Sequence, residues 1–220
     1  KINDEDFNKI ELNFRGQVNY TGMIKKICEF NRRTEFILKV IKDLLKKNKD
    51  QQIMILGHQK KQLAYIHDAI KDRVIATVGY YIGGMKEQDL KISEGKKIIV
   101  ATYAMAEEGL DIKTLTTLVM ATPKVDVTQS VGRILRQKHK EALVVDIVDT
   151  HVLFQRHYAK RRTFYKKSKF KIIESDSYKY DNDLWETIYD PQNKINKNTK
   201  INKKKEDVNM FQGVCLSKRK

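Results

Sequence analysis

The sequence predicts an α/β fold, a three-layer sandwich in which helices cover both faces of a mostly parallel sheet. One observation is that short, mostly apolar runs, such as residues 53–56 and 97–102, alternate with longer segments of different pattern. In those longer segments apolar residues return every three or four positions, which is typical of amphipathic helices. A second observation is that the runs are apolar at nearly all consecutive positions and not at alternate ones, as expected of parallel strands buried on both faces.

The elements follow one another in a regular order. Apolar spacing from residue 23 to 45 predicts a first helix, and its lysine-rich end suits the negative pole of the helix dipole. The predicted strands are 53–56, 74–78, 97–102, 115–121, 142–148 and a last one at 170–173. The intervening helices are predicted at 59–71, just after 102, at about 126–137 and at about 150–167.

Composition divides the chain into three parts. Residues 1–20 are polar and weakly patterned, as expected of a connector from a preceding domain, and residues 21–175 form the α/β domain. Residues 176–220 form a Lys/Asn-rich C-terminal extension that we expect to be partly disordered. Trp185 and Tyr189 are expected to anchor its first part. The chain begins with Lys rather than Met, so we expect it to be a fragment of a larger protein.

The charge is strongly positive. The chain has 44 Lys and Arg against 28 Asp and Glu, a net charge of +16 and a pI near 9.6. Such a surplus favours a nucleic-acid partner, because each cation docked on a phosphate releases a counterion. The alternative is a solubility surface in a lysine-rich proteome, since 34 of the 44 basic residues are Lys.

Several classes of protein are disfavoured by the sequence. Cys28 and Cys215 stand far apart and the five histidines form no ligand pattern, so neither a disulfide framework nor a metal site is predicted. No apolar run reaches the roughly 18 residues that cross a bilayer, and no signal peptide is recognised. We therefore expect no membrane partner and an intracellular location.

In parallel α/β sheets the functional crevice lies at the carboxyl ends of the strands, which directs attention to a helix with an unusual polar face. Gln129, Arg133 and Arg136 are spaced to share one side of the predicted helix. Paired guanidinium groups suit a transferring phosphoryl group, where an arginine finger is worth on the order of 10³–10⁵ in rate. The alternative is a basic surface helix with incidental arginines. Gly132, in the middle of the helix, is expected to have a steric reason.

A second segment, residues 101–112, directly follows a predicted strand. Thr102 can offer a hydroxyl or an amide to a backbone phosphate, Gly109 permits a close turn, and Asp111 can accept a hydrogen bond from a ribose hydroxyl. The alternative is a helix that carries acidic residues on its surface and ends at a glycine C-cap.

The segments 101–112 and 129–136 resemble motifs V and VI of superfamily 2 helicases, with residues 56–58 in the position of motif IV. The resemblance covers roughly residues 35–175 and implies the second RecA-like domain of such an enzyme. It implies that Arg133 and Arg136 reach the γ-phosphate of ATP, with Gln129 organising the same phosphate or its attacking water. It implies nucleotide contacts for Gly109 and Asp111, and nucleic-acid contacts for Thr102, His58 and the turn at Gly84.

The predicted last helix is rich in cations. Residues 151–172 contain eight Lys or Arg and no acid. Its aromatic residues Phe154, Tyr158 and Tyr165 are expected to be core anchors rather than base-stacking platforms. Exposed cations, Lys160 and Lys167 among them, could follow a phosphate backbone, the alternative being a solvated basic face.

This last helix is also similar to the ends of two helicase groups, the transcription and excision-repair helicases and the poxvirus-type transcript-release DNA helicases. The similarity implies a relative in a large cytoplasmic DNA virus, such as African swine fever virus, with transcription machinery as a partner. It places the protein in viral factories of the host cytoplasm, or packaged in the virion. DNA is the implied substrate, with 3′-to-5′ polarity; an RNA helicase and a non-catalytic nucleic-acid-binding module are the alternatives.

The chain lacks the phosphate loop G-x-x-x-x-G-K-[ST] and the acidic D-E-x-[DH] motif that hold ATP and Mg²⁺. We therefore expect an N-terminal RecA-like domain of the same protein to bind ATP and Mg²⁺. This chain alone is predicted to be inactive as an ATPase.

Overall fold

Helices and strands alternate along most of the chain, as the sequence predicts. The computed structural model describes the backbone of residues 4–107, 112–135, 142–192 and 213–219, and the side chains of 5–107, 112–132 and 142–192. The helices in this part are α1 (Asp4–Asn8), α2 (Tyr20–Glu29), α3 (Asn31–Lys47), α4 (Lys60–Asp72), α5 (Glu87–Glu94), α6 (Tyr103–Glu107), α7 (Thr128–Leu135), α8 (Val152–Lys167) and α9 (Ser177–Tyr180). The strands are β1 (Gln52–Gly57), β2 (Val78–Tyr81), β3 (Ile98–Thr102), β4 (Leu115–Met120), β5 (Ala142–Val148), β6 (Lys171–Ser175), β7 (Glu186–Tyr189) and β8 (Gly213–Arg219).

The described strands form one sheet in the order β2-β3-β1-β4-β5-β8-β6-β7. The first five of these are mutually parallel, which confirms the predicted mostly parallel sheet. Strand β8 lies antiparallel between β5 and β6, and β7 lies antiparallel on the far side of β6. Neither β7 nor β8 is predicted from the sequence, because both fall in the polar extension.

Helices cover both faces of the parallel strands, so the three-layer sandwich is confirmed. One core cluster joins α3 and α4 to alternate strand residues such as Ile55, Val100 and Val145. The other joins α6, α7 and α8 to the opposite face, where Leu56 and Val144 lie. The strand interiors are therefore apolar on both sides because each side has its own helical layer.

A third, smaller core attaches the N-terminal segment to the domain. Phe7 of α1 is buried and stacks on Phe30 with ring centroids 4.3 Å apart, and its ring also meets His151 edge-on at 4.8 Å. Phe154, the third residue of α8, closes this cluster. At the other end, Trp185 packs against Tyr180 and the α3/α4 core, in agreement with its predicted anchoring role.

Two predicted elements are wrong in position. The single helix expected from residue 23 to 45 is interrupted at Phe30, which has extended backbone angles (φ −82°, ψ 97°) and separates α2 from α3. The strand expected at 74–78 instead begins at Val78, because the chain is still completing the end of α4 at Val74 and Ile75. The other strands predicted between 53 and 148 agree with the structure to within one residue at each end.

Candidate functional site

The carboxyl ends of the five parallel strands bring the predicted motif segments to one edge of the sheet. His58 directly follows β1, Thr102 ends β3, and Thr122 lies just beyond β4. Gly57 and Thr102 are register partners, so His58 and Thr102 stand on neighbouring strand ends. These two residues therefore lie at one edge of the sheet, as the parallel strand order predicts.

Thr122 is the residue at which three of these segments meet. The backbone N–H of His58 donates to Thr122 Oγ1 at 3.1 Å, and His58 Nδ1 lies 2.7 Å from the same oxygen. The hydroxyl of Tyr103, next to Thr102, donates to the Thr122 carbonyl oxygen at 2.5 Å. The His58 and Tyr103 rings are also in contact, with centroids 4.8 Å apart. The segment after β1 and the segment after β3 are thus both fastened to the loop that leads to α7.

The loop of residues 121–124, which we call the carbonyl loop, accepts one side-chain hydrogen bond on each of its four successive carbonyl oxygens. The donors come from four different helices. Ala121 accepts from Arg33 Nη1 at 2.6 Å, Thr122 from Tyr103 at 2.5 Å, Pro123 from the Tyr20 hydroxyl at 3.2 Å, and Lys124 from Arg161 Nη1 at 2.8 Å. Because backbone carbonyls in loops otherwise bind water, four protein donors in a row fix the path of this loop closely.

The two arginine donors are themselves held by buried carboxylates at the end of β5. Arg33 Nε and Nη2 donate to Asp149 at 2.6 and 2.9 Å, and Arg161 Nε and Nη2 donate to Asp146 at 2.7 and 3.0 Å. All four side chains are fully buried. Paired two-point contacts of this kind leave the guanidinium little freedom, so they aim the Nη1 group of each arginine at the loop.

The helix with the predicted arginine pair begins immediately after this loop. Asp126 Oδ1 accepts from the Thr128 backbone N–H at 2.9 Å, and this bond holds the pKa of Asp126 below its usual range. Val127 and Val131 are buried against the sheet, as the amphipathic pattern predicts, while Gln129 is exposed.

The roles of the arginine pair stay predictions. The backbone of Arg133 lies in α7, but its side chain is outside the described residues, as is the whole of Arg136. A Cβ built on Gly132 would meet no described atom within 4 Å, so the expected steric reason for this glycine is not found there.

Only the first half of the segment 101–112, which resembles motif V, lies within the described residues. After Thr102 the chain enters α6, and Gly109 and Asp111 lie outside the described residues. Glu107, the last residue of α6, forms an ion pair with Lys124 of the carbonyl loop. Lys124 also lies over the Tyr103 ring, 5.1 Å from its centroid. Motif V and the approach to motif VI are therefore linked by charge as well as by hydrogen bonds.

His58 is a neutral side chain at this edge. Partial burial of the ring, together with the nearby positive charge of Lys124, lowers the pKa of His58 to about 4. A ring that is uncharged at neutral pH can donate or accept a hydrogen bond but adds no positive charge to a phosphate. Contact between His58 and nucleic acid stays a prediction. The contact would be a hydrogen bond from or to the neutral ring.

The remaining candidates are spread around this edge. Gly84 follows β2 with a φ of +93°, a conformation that suits glycine, and its Cβ position is open. Lys160 and Lys167 are exposed on α8 and share one helical face with Arg156. His157, nearer the start of α8, lies beside Tyr20 with ring centroids 5.6 Å apart. The first half of α8 is thereby joined to the edge at which His58 lies.

The aromatic residues of α8 confirm their predicted role, since Phe154, Tyr158 and Tyr165 are buried. None of the four donors to the carbonyl loop is predicted from the sequence, because Tyr20, Arg33, Tyr103 and Arg161 are spread over 142 positions of the chain. One signal was available for part of it. Asp146 interrupts an otherwise apolar run in β5, and a buried carboxylate requires a cationic or hydrogen-bonding partner.

Comparisons with known proteins identify the class of domain. Residues 36–138 match the helicase conserved C-terminal domain family. The chain is 37% identical over 175 residues to protein L396 of Acanthamoeba polyphaga mimivirus, covering 76% of this chain and 33% of that protein. It is 30% identical over 158 residues to QP509L of African swine fever virus, covering 66% of this chain and 31% of that protein. Both relatives are named, provisionally, as ATP-dependent RNA helicases.

The fold has a solved counterpart in UvsW of bacteriophage T4, with a TM-score of 0.54 at 24% identity over 75% of this chain and 37% of that chain. The family match over residues 36–138 and this fold together define the class of domain, a superfamily 2 helicase C-terminal domain with a RecA-like fold. Residues 36–138 belong to the helicase conserved C-terminal domain family, and the chain has relatives in large DNA viruses. The chain spans about a third of the length of these viral relatives.

Two last features of the described part of the chain concern membrane-spanning helices and metal-binding groups. No helix there is both long and apolar enough to cross a membrane. Nor does that part bring three or more His, Cys, Asp or Glu side chains together as a group that could hold a metal ion.

Proposed function

We propose that this chain is the strand-tracking half of an ATP-driven superfamily 2 motor, working with an N-terminal RecA-like domain of the same protein. That second domain would hold ATP and Mg²⁺, and α7 would present Arg133 and Arg136 to the γ-phosphate across the cleft, with Gln129 beside them. Gly109 and Asp111 would contact the nucleotide, while Thr102, His58, Gly84, Lys160 and Lys167 would follow the nucleic-acid strand.

The observation that carries this proposal is the junction at Thr122. His58 and Tyr103, which belong to the segments resembling motifs IV and V, both bond to the loop that leads into α7. In a motor, movement of the nucleic-acid strand must change the position of the groups that contact the γ-phosphate. The residues that contact the strand and those that contact the phosphate therefore need to be directly connected. A scaffold that only binds nucleic acid has no use for such a connection.

DNA is the substrate that we propose first, from the resemblance to transcript-release and excision-repair helicases. RNA is the second candidate, favoured by the names of the mimivirus and African swine fever virus relatives. A role in viral transcription, and a place in the host cytoplasm or in the virion, follow from the same resemblance and are part of the proposal.

The test is nucleic-acid-stimulated ATPase of the full-length protein that contains this chain. Arg133→Ala and Arg136→Ala should each lower turnover about a thousandfold, the size of an arginine-finger effect. Arg73→Ala is the matched control, because it removes a guanidinium that pairs with Glu35 on the surface of the α3/α4 layer. Its turnover should stay near that of the wild type.

Three outcomes decide between the candidates. Turnover stimulated by single-stranded DNA but not by RNA of the same sequence supports the DNA motor, and the reverse supports the RNA helicase. A full-length protein that binds nucleic acid without any ATPase would identify a non-catalytic module. The 220-residue chain alone should show no ATPase. Appreciable turnover by it would contradict the proposal that a second domain holds ATP and Mg²⁺.

A further inference from the structure

Tyr20 differs from the other donors to the carbonyl loop in its exposure. Arg33, Tyr103 and Arg161 are buried, whereas Tyr20 is 37% exposed. It is the first residue of α2, whose start is fixed by the Asn19 side chain accepting from the Gly22 backbone N–H at 3.0 Å. Burial of its ring raises the pKa of Tyr20, so the hydroxyl stays protonated and able to donate at neutral pH.

The surroundings of Tyr20 connect it to the nucleic-acid side of the site. Its ring lies edge-on to His58, with centroids 6.3 Å apart, and tilted against His157 of α8 at 5.6 Å. Its hydroxyl meanwhile donates to the Pro123 carbonyl oxygen, five residues before α7 begins at Thr128. One side chain thus touches two candidate strand-contacting segments with its ring and the approach to the arginine helix with its hydroxyl.

We propose that Tyr20 is a positioning residue that couples strand binding to the placement of α7. A strand bound along His58 and the start of α8 would hold the Tyr20 ring, and the hydroxyl would then hold Pro123 and the entry of α7 in the geometry that hydrolysis requires. Displacing a catalytic group by about 1 Å can cost on the order of a hundredfold in rate. This inference rests on the proposed function.

The test is Tyr20→Phe in the full-length protein, because phenylalanine removes the hydroxyl and keeps the ring contacts. The nucleic-acid-stimulated kcat should fall about three- to tenfold, the effect of one hydrogen bond expressed in the activated state. The KM for ATP and the dissociation constant for nucleic acid should change less than about twofold, since the ring that faces the strand is kept.

Tyr65→Phe is the matched control. Tyr65 is 44% exposed and its hydroxyl donates to Glu35, so the variant also loses one hydroxyl bond at a half-exposed tyrosine. That bond joins α4 to α3 and does not touch the carbonyl loop. The two variants should have similar melting temperatures, and only Tyr20→Phe should lower the stimulated kcat.

The outcomes separate this inference from the function on which it rests. A loss of kcat in Tyr20→Phe but not in Tyr65→Phe supports it. Equal ATPase in wild type, Tyr20→Phe and Tyr65→Phe, together with the expected loss in Arg133→Ala, overturns the role of Tyr20 and leaves the motor intact. Undiminished ATPase in both Arg133→Ala and Arg136→Ala overturns the proposed role of α7 in hydrolysis, and this inference with it.

Discussion

Asp146 and Asp149 stand at the end of an apolar strand, and each is buried against one arginine. In both pairs the arginine uses two N–H groups on the carboxylate and a third on a carbonyl of the loop before α7. A buried ion pair of this kind is weak evidence for net stability, because desolvating two charges offsets most of their attraction. Its value here is geometric, since it turns two long, flexible side chains into fixed donors.

The first prediction concerns the Arg33–Asp149 pair. Asp149→Leu leaves the Arg33 guanidinium buried without its carboxylate, which should lower the free energy of unfolding by about 3–5 kcal/mol. Adding Arg33→Met removes the unpaired charge and should recover most of that loss, although the Ala121 carbonyl then loses its donor. Urea unfolding of the two single variants and the double variant measures the coupling energy.

The control for this cycle is Glu87→Ala, which breaks a fully exposed pair with Lys91 on α5. Exposed pairs contribute little, so its unfolding midpoint should stay close to that of the wild type. A single variant Asp149→Leu as stable as Glu87→Ala would show that the buried pair does not hold β5 to α3.

At the scale of elements, the parallel core is predictable because its signal is local. Four apolar runs, each bounded by polar or glycine residues, are sufficient to place β1, β3, β4 and β5 to within one residue. The break between α2 and α3 is not predictable in this way. Phe30 is compatible with a helix, and it adopts an extended conformation where its ring packs on Phe7, a residue 23 positions away.

The predicted start of β2 is too early because α4 ends without the glycine that usually follows a helix. The N–H of Ile75 bonds to the Ile70 carbonyl oxygen and the N–H of Val74 to that of Lys71, a pattern that closes a helix with its last residue in the left-handed region. That residue is Val74, with a φ of 51°. Left-handed backbone is unfavourable for a β-branched residue, so the sequence gives no sign of a helix end here.

This helix end makes the second prediction. Val74 is exposed, so Val74→Gly should relieve the left-handed strain without loss of packing, and stability should rise by about 0.5–1 kcal/mol. Thermal or urea unfolding of the chain measures the change. Val152→Gly makes the same substitution at an exposed position with helical backbone, and it should destabilise the chain. A decrease in stability for both variants would contradict the proposed strain.

At the scale of the whole molecule, the sequence predicts which parts meet but not what holds them. The rule that parallel strands end at one edge is enough to bring His58 and Thr102 together. The donors to the carbonyl loop come from α2, α3, α6 and α8, and no local pattern marks a side chain whose partner is a distant backbone carbonyl. Nor does the Lys/Asn-rich composition of the extension mark β8, which inserts between β5 and β6.

The net charge of +16 gives the third prediction. Arg156, Lys160 and Lys167 form an exposed stripe along α8, whose first half adjoins Tyr20 at the candidate strand site. Each phosphate contact steepens the slope of log affinity against log salt by about 0.7 for single strands and about 0.9 for duplex DNA. Changing all three residues to Gln should therefore weaken binding and make the slope shallower by roughly 2–3, as measured by fluorescence anisotropy across a salt series.

The matched control removes the same charge from the other face of the sheet, with Lys42, Lys46 and Lys71 of α3 and α4 changed to Gln. If the stripe binds the strand, this control should keep a slope close to that of the wild type, because distant exposed charges are screened beyond roughly 10 Å. Equal changes in both triple variants would mean that the positive charge acts only as a diffuse field. Nucleic acid would then be held by the strand ends and not by α8.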